Sequence, residues 1–214
     1  MIDIRNSYEA AIGRFDPPKG GAEYIDPKMR LSTEFPDWID ANLEKLKDKQ
    51  VMMFCTGGVR CERASALLKS KGHDKGVYQL FGGIHKYLEE FKNDGRTEVT
   101  SSIPVPIPSP SPSPHHLSAI FAPAPLTIVL LTGGHWIGKN YVFDKRFAHG
   151  APGKEDEVVG KCVSCENPWD KYRGRKKCPQ CAVPLLICID CQEQNKHFTA
   201  LCNLCQEVLS TASR

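Results

Sequence analysis

The sequence predicts an α/β protein, in which a parallel β-sheet flanked by helices is followed by a small cysteine-rich module that binds metal. Short apolar runs alternate with stretches of helical periodicity over the first part of the 214-residue chain, which is the order that builds a parallel sheet. A cysteine ends one of these apolar runs, in a loop with two glycines that leads directly into a helical pattern. Eight of the ten cysteines then form four Cys-x-x-Cys pairs in the last quarter of the chain.

Three short apolar runs are predicted to be strands of the parallel sheet. Val51 to Phe54 and Val77 to Leu80 are β-prone and too short for helices, and Ile2 to Arg5 has the pattern of the end of a third strand. Because a central strand needs about five residues, this abrupt beginning leads us to expect that the chain is N-terminally truncated. Residues 6–35 are rich in Pro, Gly and Asp and are predicted to be mainly loop.

Three helices are predicted from apolar residues that recur on one face. The first begins at Pro36, the second runs from Glu62 to Lys71 and ends near Gly72, and the third follows Gly82-Gly83. Their inward faces are Ile39, Leu43 and Leu46 in the first, Ala64, Leu67 and Leu68 in the second, and Ile84, Tyr87, Leu88 and Phe91 in the third.

Cys55 lies at the carboxyl end of a predicted parallel strand, the edge at which such sheets bind ligands. Gly57 and Gly58 permit a tight loop, so backbone N–H groups of the loop and of the next helix can surround an anion. The positive end of that helix, together with Arg60, should lower the pKa of Cys55 and raise its thiolate fraction near neutral pH. We therefore predict that Cys55 is a catalytic nucleophile, stabilised by Gly57, Gly58 and Arg60.

Other interpretations of this loop remain open from the sequence. Cys55 can be a buried structural cysteine with the glycines forming an ordinary turn. Cys61, the second cysteine of the loop, can resolve a persulfide or disulfide with Cys55, or it can be a packed thiol on the first helical turn. Cysteine-dependent phosphatases use a similar loop with one more residue between cysteine and arginine, and the tighter ring found here suits a sulfur atom better than a tetrahedral phosphate.

The run Cys55-Thr56-Gly57-Gly58-Val59-Arg60 has the form Cys-x-x-Gly-x-Arg. With Ile2-Asp3-Ile4-Arg5 and Tyr8-Glu9 before it and Leu80-Phe81-Gly82-Gly83-Ile84 after it, the chain resembles a rhodanese (thiosulfate sulfurtransferase) domain. The resemblance implies that Cys55 attacks a sulfur donor and carries the outer sulfur as a persulfide to an acceptor.

The chain resembles one branch of that family in two segments. They are the motif Cys-Thr-Gly-Gly-Val-Arg-Cys-Glu and the later segment from Trp136 to Arg146. This branch contains rhodanese-domain proteins related to the bacterial tRNA uridine 5-hydroxylases, and its plant and animal relatives carry a cysteine-rich C-terminus. The resemblance implies a small sulfur donor and acceptor, and tRNA as a partner through hydroxylation of the wobble uridine. An alternative of a different class is a catalytically inactive interaction module whose working part is the metal-binding unit.

The cysteine-rich module, residues 161–206, is predicted to bind two structural Zn²⁺ ions. Each Cys-x-x-Cys pair supplies two thiolates to a tetrahedral ion, so eight thiolates make two four-cysteine sites. Sequential and cross-braced pairing both fit the spacing. His197 can replace one thiolate or, since eight cysteines are available, be a surface residue. Because the segment is too small to bury much core, metal binding should supply its folding free energy. The predicted ligands are Cys162, Cys165, Cys178, Cys181, Cys188, Cys191, Cys202 and Cys205.

The basic segment from Lys171 to Lys177 carries five positive charges and one aromatic residue. It can be a solvated loop or a contact for RNA phosphates, and the family resemblance favours RNA. The whole chain is only mildly basic, with 28 Lys and Arg against 25 Asp and Glu, so net charge alone does not indicate a nucleic-acid partner.

Residues 96–134 are predicted to be a disordered Pro/Ser-rich insert, because half of the sixteen prolines lie between Pro104 and Pro125. We therefore expect a rhodanese-like domain at 1–95, this insert, a connector at 135–160, the zinc module at 161–206 and a tail at 207–214. The apolar stretch from Leu117 is shorter than the roughly 20 residues of a bilayer span and is broken by prolines, so no membrane anchor is expected.

The cysteine pattern indicates metal binding in a reducing intracellular compartment rather than a disulfide scaffold. The residues that follow Met1 include Asp3, Arg5 and Asn6, so no secretory signal is predicted at this position. The expected location is cytoplasmic, or plastid for a plant protein with an upstream transit peptide.

Overall fold

The computed structural model describes residues 1–73, 76–90, 134–142, 149–150, 153–172, 176–194 and 200–212. Phe91, His197, most of the predicted insert and the centre of the basic segment lie outside these described residues, and so do the predictions made for them.

A three-stranded parallel sheet forms the centre of the N-terminal half. Its strands are β1 (Ile2–Asp3), β3 (Val51–Phe54) and β4 (Val77–Gln79), in the order β1-β3-β4. Both pairings are parallel, with Ile2 opposite Met53 and Val51 opposite Val77. The predicted α/β fold with a parallel sheet is therefore confirmed, and β3 holds the central position.

Helices cover both faces of this sheet. α2 (Phe35–Leu46) and α3 (Val59–Ser70) pack their apolar faces onto one side, where Ile39, Leu46 and Leu68 join the core. α4 (Gly83–Glu90) lies on the other side, with Ile84 and Leu88 packed against Phe54. α3 begins at Val59 and not at Glu62, because Gly58 has φ 92° and turns the chain into the helix at once.

The stretch predicted to be mainly loop contains three short ordered elements. They are α1 (Ser7–Ala10), β2 (Gly13–Phe15) and a 3₁₀ helix at Ser32–Glu34. Sequence periodicity cannot reveal elements of three or four residues, because such elements are too short to repeat a pattern.

A second, antiparallel sheet joins residues from before and after the predicted insert. β2 pairs with β5 (Trp136–Asn140), which pairs in turn with β6 (His149–Gly150). Trp136 is completely buried and packs edge to face against Phe15, so β5 is part of the same core as the parallel sheet.

The cysteine-rich module contains two short helices, α5 (Ile189–Gln194) and α6 (Asn203–Ala212). It packs against α1 and β5 through polar contacts. The Tyr172 hydroxyl donates a hydrogen bond to the carbonyl of Tyr8 at 2.6 Å, and the Lys139 ammonium lies 2.5 Å from the carboxylate of Asp170. Among the described residues, no helix is long and apolar enough to cross a membrane.

Candidate active site and metal centres

Cys55 follows β3 directly, and its side chain is buried. Its Sγ atom accepts a hydrogen bond from the backbone N–H of Gly58 at 3.1 Å. The start of α4 anchors the loop. The N–H group of Ile84 donates a hydrogen bond to the carbonyl of Cys55, and that of His85 donates one to the carbonyl of Thr56, both at 3.0 Å. The sulfur is therefore held in a fixed position at the carboxyl edge of the sheet.

Two glycines allow the loop and α4 to approach so closely. A Cβ atom on Gly83 would lie 2.5 Å from the carbonyl oxygen of Cys55 and 2.6 Å from that of Thr56, and Gly83 has φ 64°. Position 58 requires glycine because its φ is positive. Gly57 differs from both, since a Cβ there would meet nothing within 4 Å and its φ is not in the left-handed region.

The surroundings of Cys55 favour its thiolate. The pKa of Cys55 is lowered to about 5, and the largest cause is a hydrogen bond from the Cys61 side chain. Burial opposes this shift, whereas the charge of Arg60 and the N–H groups of Cys61 and Arg60 add to it. The same hydrogen bond, together with burial, raises the pKa of Cys61, so Cys61 stays a protonated donor. Cys61 therefore supports the negative charge of the Cys55 sulfur as a hydrogen-bond donor.

Arg60 is held by a residue that the sequence analysis did not identify. Its Nη1 and Nη2 atoms donate hydrogen bonds to the two carboxylate oxygens of Glu9, at 2.6 and 2.8 Å. Burial opposes the charge of Glu9, but the hydrogen bonds from Arg60 lower its carboxyl pKa below the ordinary value. The signal that could have identified Glu9 is its place in the Tyr8-Glu9 pair, which is one of the motifs of the family resemblance.

The predicted catalytic residues lie together in the structure. They occupy one loop and the first turn of α3: Cys55, Gly57, Gly58, Arg60 and Cys61. Their roles in a reaction stay predictions.

The eight cysteines of the C-terminal module form two clusters of four. Within each cluster the sulfur atoms all lie within 4.8 Å of one another. Cys165 and Cys188 have sulfur atoms 3.7 Å apart, and Cys181 and Cys202 have theirs 3.5 Å apart. A tetrahedral ion with Zn–S bonds of about 2.3 Å separates its sulfur ligands by about 3.8 Å. The residues therefore fit two tetrathiolate metal sites: Cys162, Cys165, Cys188 and Cys191 form one cluster, and Cys178, Cys181, Cys202 and Cys205 form the other.

The clusters are cross-braced, since each joins one early pair and one late pair. Backbone groups also favour thiolates here: burial opposes ionisation of Cys162, but the N–H groups of Cys188, Cys165 and Ser164 lower its pKa to about 6. Cys178 has the same arrangement around the N–H groups of Cys202, Cys181 and Gln180, and its pKa is also about 6.

The two clusters are built from repeated segments. Residues 161–168 and 177–184 share the pattern Lys-Cys-x-x-Cys-x-x-Pro, and in both the chain closes a small loop with a bridge from the lysine to the proline. Residues 188–193 and 202–207 share Cys-x-x-Cys-Gln-Glu and begin α5 and α6. Each metal site therefore consists of one loop of the first kind and one helix start of the second kind.

Comparison with known families agrees with this architecture. Residues 1–90 match the family described as rhodanese-like domain, and residues 137–206 match the family described as rhodanase C-terminal. The chain therefore belongs to the rhodanese-domain proteins that carry this C-terminal segment, which confirms the family predicted from the sequence.

Within that family, the chain is similar to proteins from plants and bacteria. It is 36% identical over 97% of its length to rhodanese-like domain-containing protein 6 of Arabidopsis thaliana, and covers 28% of that protein. It is 37% identical over 78% of its length to the tRNA uridine(34) hydroxylases of Brucella canis and Brucella suis, and covers 40% of each. The chain thus spans less than half the length of these relatives.

Proposed function

We propose that this chain is a rhodanese-like enzyme in which the thiolate of Cys55 is the nucleophile, and that uridine in tRNA is its macromolecular substrate. The observation that carries the proposal is the hydrogen-bonded, ionised state of Cys55 in a loop anchored at the carboxyl edge of the sheet. A thiolate is the reactive form of cysteine, and a pKa of about 5 keeps it ionised at neutral pH.

The sulfur-transfer step follows from this thiolate. With thiosulfate as donor, Cys55 Sγ attacks the outer sulfur, the S–S bond of thiosulfate breaks, and sulfite leaves with the bonding electron pair. The product is a persulfide anion on Cys55. Its negative charge stays inside the ring of backbone N–H groups beside Arg60, which is the kind of fixed donor array that stabilises an anion. An acceptor nucleophile such as cyanide then takes the outer sulfur and regenerates the thiolate.

Two observations support tRNA as the substrate. The relatives from Brucella canis and Brucella suis, 37% identical over 78% of this chain, are tRNA uridine(34) hydroxylases. In addition, two apolar side chains are unusually exposed beside the reactive loop, with Val59 74% and Phe81 80% accessible. The Phe81 ring is also contacted by the Lys86 ammonium, 4.5 Å from the ring centroid. An exposed aromatic ring beside a positive charge suits an unpaired base and its phosphate.

We propose that the two four-cysteine clusters hold structural Zn²⁺. All eight donor atoms are cysteine sulfurs, and four cysteines are the ligand set typical of a closed structural zinc site. When bound, zinc supplies tetrahedral cross-links between the repeated segments. The chain's own contribution is to present the thiolates and to hold the module against α1 through Tyr172.

The proposal is tested by two measurements on the wild type and on Cys55→Ser. The first is a thiosulfate:cyanide assay on the purified protein, in which the wild type should form thiocyanate and Cys55→Ser should not. The second is mass spectrometry of uridines in tRNA from cells lacking the gene, complemented with either form. Loss of 5-hydroxylated uridine assigns hydroxylation, and loss of a thiolated uridine assigns sulfur transfer to tRNA.

The alternative is an inactive interaction module. Full complementation by Cys55→Ser, with no thiocyanate formed by the wild type, would support that alternative and refute the proposed enzyme. The ionised state of Cys55 favours the enzyme, because a purely structural cysteine in an apolar site has a raised pKa.

A further inference from the structure

Glu9 links α1 to the reactive loop through a closed set of hydrogen bonds. Its carboxylate receives both terminal nitrogens of Arg60, at 2.6 and 2.8 Å. The Thr56 hydroxyl donates to the same carboxylate at 3.1 Å and accepts from Arg60 Nη2 at 3.1 Å. Glu9, Arg60 and Thr56 therefore form a triangle in which each member contacts the other two.

This triangle lies in a protected site. The side chain of Glu9 is 6% accessible and that of Arg60 is 29% accessible. A bidentate carboxylate–guanidinium pair shielded from solvent is stronger and better defined in orientation than an exposed ion pair. Such a pair fixes the plane of the guanidinium, and Arg60 is the residue whose charge acts on Cys55.

The helix that carries Glu9 cannot hold its own position. α1 has only four residues, and isolated helices of that length are unstable in water. It is held by neighbours: Arg5 Nη1 donates to the carbonyl of Glu9 at 3.3 Å, and the N–H of Ser7 donates to the carbonyl of Met29 at 2.7 Å. The third support comes from the cysteine-rich module, since the Tyr172 hydroxyl donates to the carbonyl of Tyr8 at 2.6 Å.

We propose that Glu9 is a positioning residue for the reaction at Cys55. Its carboxylate holds the Arg60 guanidinium and the Thr56 hydroxyl in place, and the cysteine-rich module supports it by holding α1 through Tyr172. This role rests on the proposed function, because it assigns Glu9 to the same reactive thiol. The cysteine-rich module contributes no residue to the reactive loop. Through Tyr172 and α1 it nevertheless affects the chemistry at Cys55.

The test measures alkylation of Cys55 by iodoacetamide as a function of pH, with the modified peptide quantified by mass spectrometry. The proteins are the wild type, Glu9→Gln, Arg60→Gln and the double variant. Glutamine keeps the size of Glu9 but removes the charge that holds Arg60. Among the described residues, Asp3 and Arg5 also act on the charges of this site, and the variants leave both unchanged.

Without the carboxylate, the Arg60 guanidinium should turn away from the sulfur, and losing this positive charge outweighs the opposite effect of removing the negative charge of Glu9. The expected result for Glu9→Gln is therefore a pKa of Cys55 raised by about one unit, which at pH 5 lowers the alkylation rate about fivefold. The double variant should be no slower than Arg60→Gln, because Glu9 acts through Arg60. Glu62→Gln, which removes an exposed carboxylate from the first turn of α3, should match the wild type. Tyr172→Phe should move the pKa in the same direction as Glu9→Gln, by a smaller amount.

Several outcomes overturn the proposal. Equal or faster alkylation of Glu9→Gln relative to the wild type would show that Glu9 does not position Arg60 for the reaction at Cys55. Additive losses in the double variant would assign Glu9 a general structural role, which thermal melting of each variant would register. An unchanged pKa in Tyr172→Phe would remove the module from the scheme. By contrast, a wild type that is alkylated at Cys55 but leaves tRNA uridines unchanged would refute the proposed function alone, because the Glu9 comparison still stands.

Discussion

The Sγ atom of Cys55 lies 3.1 Å from the backbone nitrogen of Gly58, and this N–H points at the sulfur. Gly58 reaches that orientation because its φ of 92° is accessible to glycine at little cost. The same residue caps α3 at its N terminus, so one turn in the chain both starts the helix and supplies an amide to the thiolate. Backbone geometry at Gly58 therefore supplies one of the hydrogen bonds to the Cys55 sulfur.

The first prediction concerns the donor on the other side of this sulfur. Because the Cys61 thiol is the largest cause of the lowered pKa of Cys55, Cys61→Ala should raise that pKa from about 5 toward the ordinary thiol value. Peptide-resolved alkylation across pH 4 to 9 measures the change. The sign is fixed by ionisation: above its pKa the sulfur is a thiolate and reacts at a constant rate, and below it the rate falls about tenfold per pH unit.

Cys61→Ser is the matched control for that prediction, since a hydroxyl can still donate to the Cys55 sulfur. It should keep the alkylation midpoint nearer to the wild-type value than Cys61→Ala does. If both variants titrate like the wild type, the hydrogen bond between the two cysteines does not determine the ionisation of Cys55.

The second prediction concerns the contact between the reactive loop and α4. Gly83→Ala places a methyl group 2.5 Å from the carbonyl oxygen of Cys55, at a residue whose φ is 64°. We expect a loss of about 2 kcal/mol or more in the free energy of unfolding, from steric overlap and left-handed strain together. Urea denaturation measures it. Gly57→Ala, where the added Cβ meets nothing within 4 Å, should leave the midpoint nearly unchanged.

The reactive loop was predictable because its signals are local. The apolar run Val51 to Phe54, the two glycines and Arg60 are consecutive in the chain, and the structure places the strand at those residues. Glu9 could not be paired with Arg60 in the same way, because 51 residues separate them and neither lies in a periodic segment that would show which way it faces. Only the tertiary fold brings α1 beside α3.

The pairing of the metal-binding cysteines was open from spacing alone, and the repeated segments explain why. The first two pairs lie in loops of one kind and the last two begin helices of another kind. Two equivalent sites need one pair of each kind, which excludes sequential pairing. Comparing Lys161 to Pro168 with Lys177 to Pro184 would have revealed this in the sequence.

The third prediction concerns the buried ion pair between Asp3, the last residue of β1, and Arg5. The Asp3 and Arg5 side chains are both 0% accessible, and Arg5 Nη2 lies 2.6 Å from Asp3 Oδ2 and 2.7 Å from the carbonyl of Gly13. Asp3→Asn leaves the Arg5 charge buried without its counterion, so we expect a loss of about 3–5 kcal/mol in the free energy of unfolding.

Urea denaturation of Asp3→Asn measures that loss. The control is Lys47→Gln, which removes one partner of the exposed Lys47–Glu44 pair and should leave the denaturation midpoint within error of the wild type. A similar midpoint for Asp3→Asn and Lys47→Gln would contradict a stabilising role for the buried pair.

The fourth prediction distinguishes cross-braced from sequential metal binding by the number of ions lost. Cys162 and Cys188 belong to one cluster, whereas Cys162 and Cys178 belong to different clusters. Elemental analysis of the purified protein should therefore find two zinc ions in the wild type, one in Cys162→Ser/Cys188→Ser and none tightly bound in Cys162→Ser/Cys178→Ser. Sequential pairing predicts the reverse for the two double variants, because it puts Cys162 and Cys178 on the same ion. Structural zinc binds much more weakly when it has fewer than its four ligands, so each damaged site should lose its ion. Each double variant removes two cysteines, and the comparison therefore depends only on which cysteines share a site.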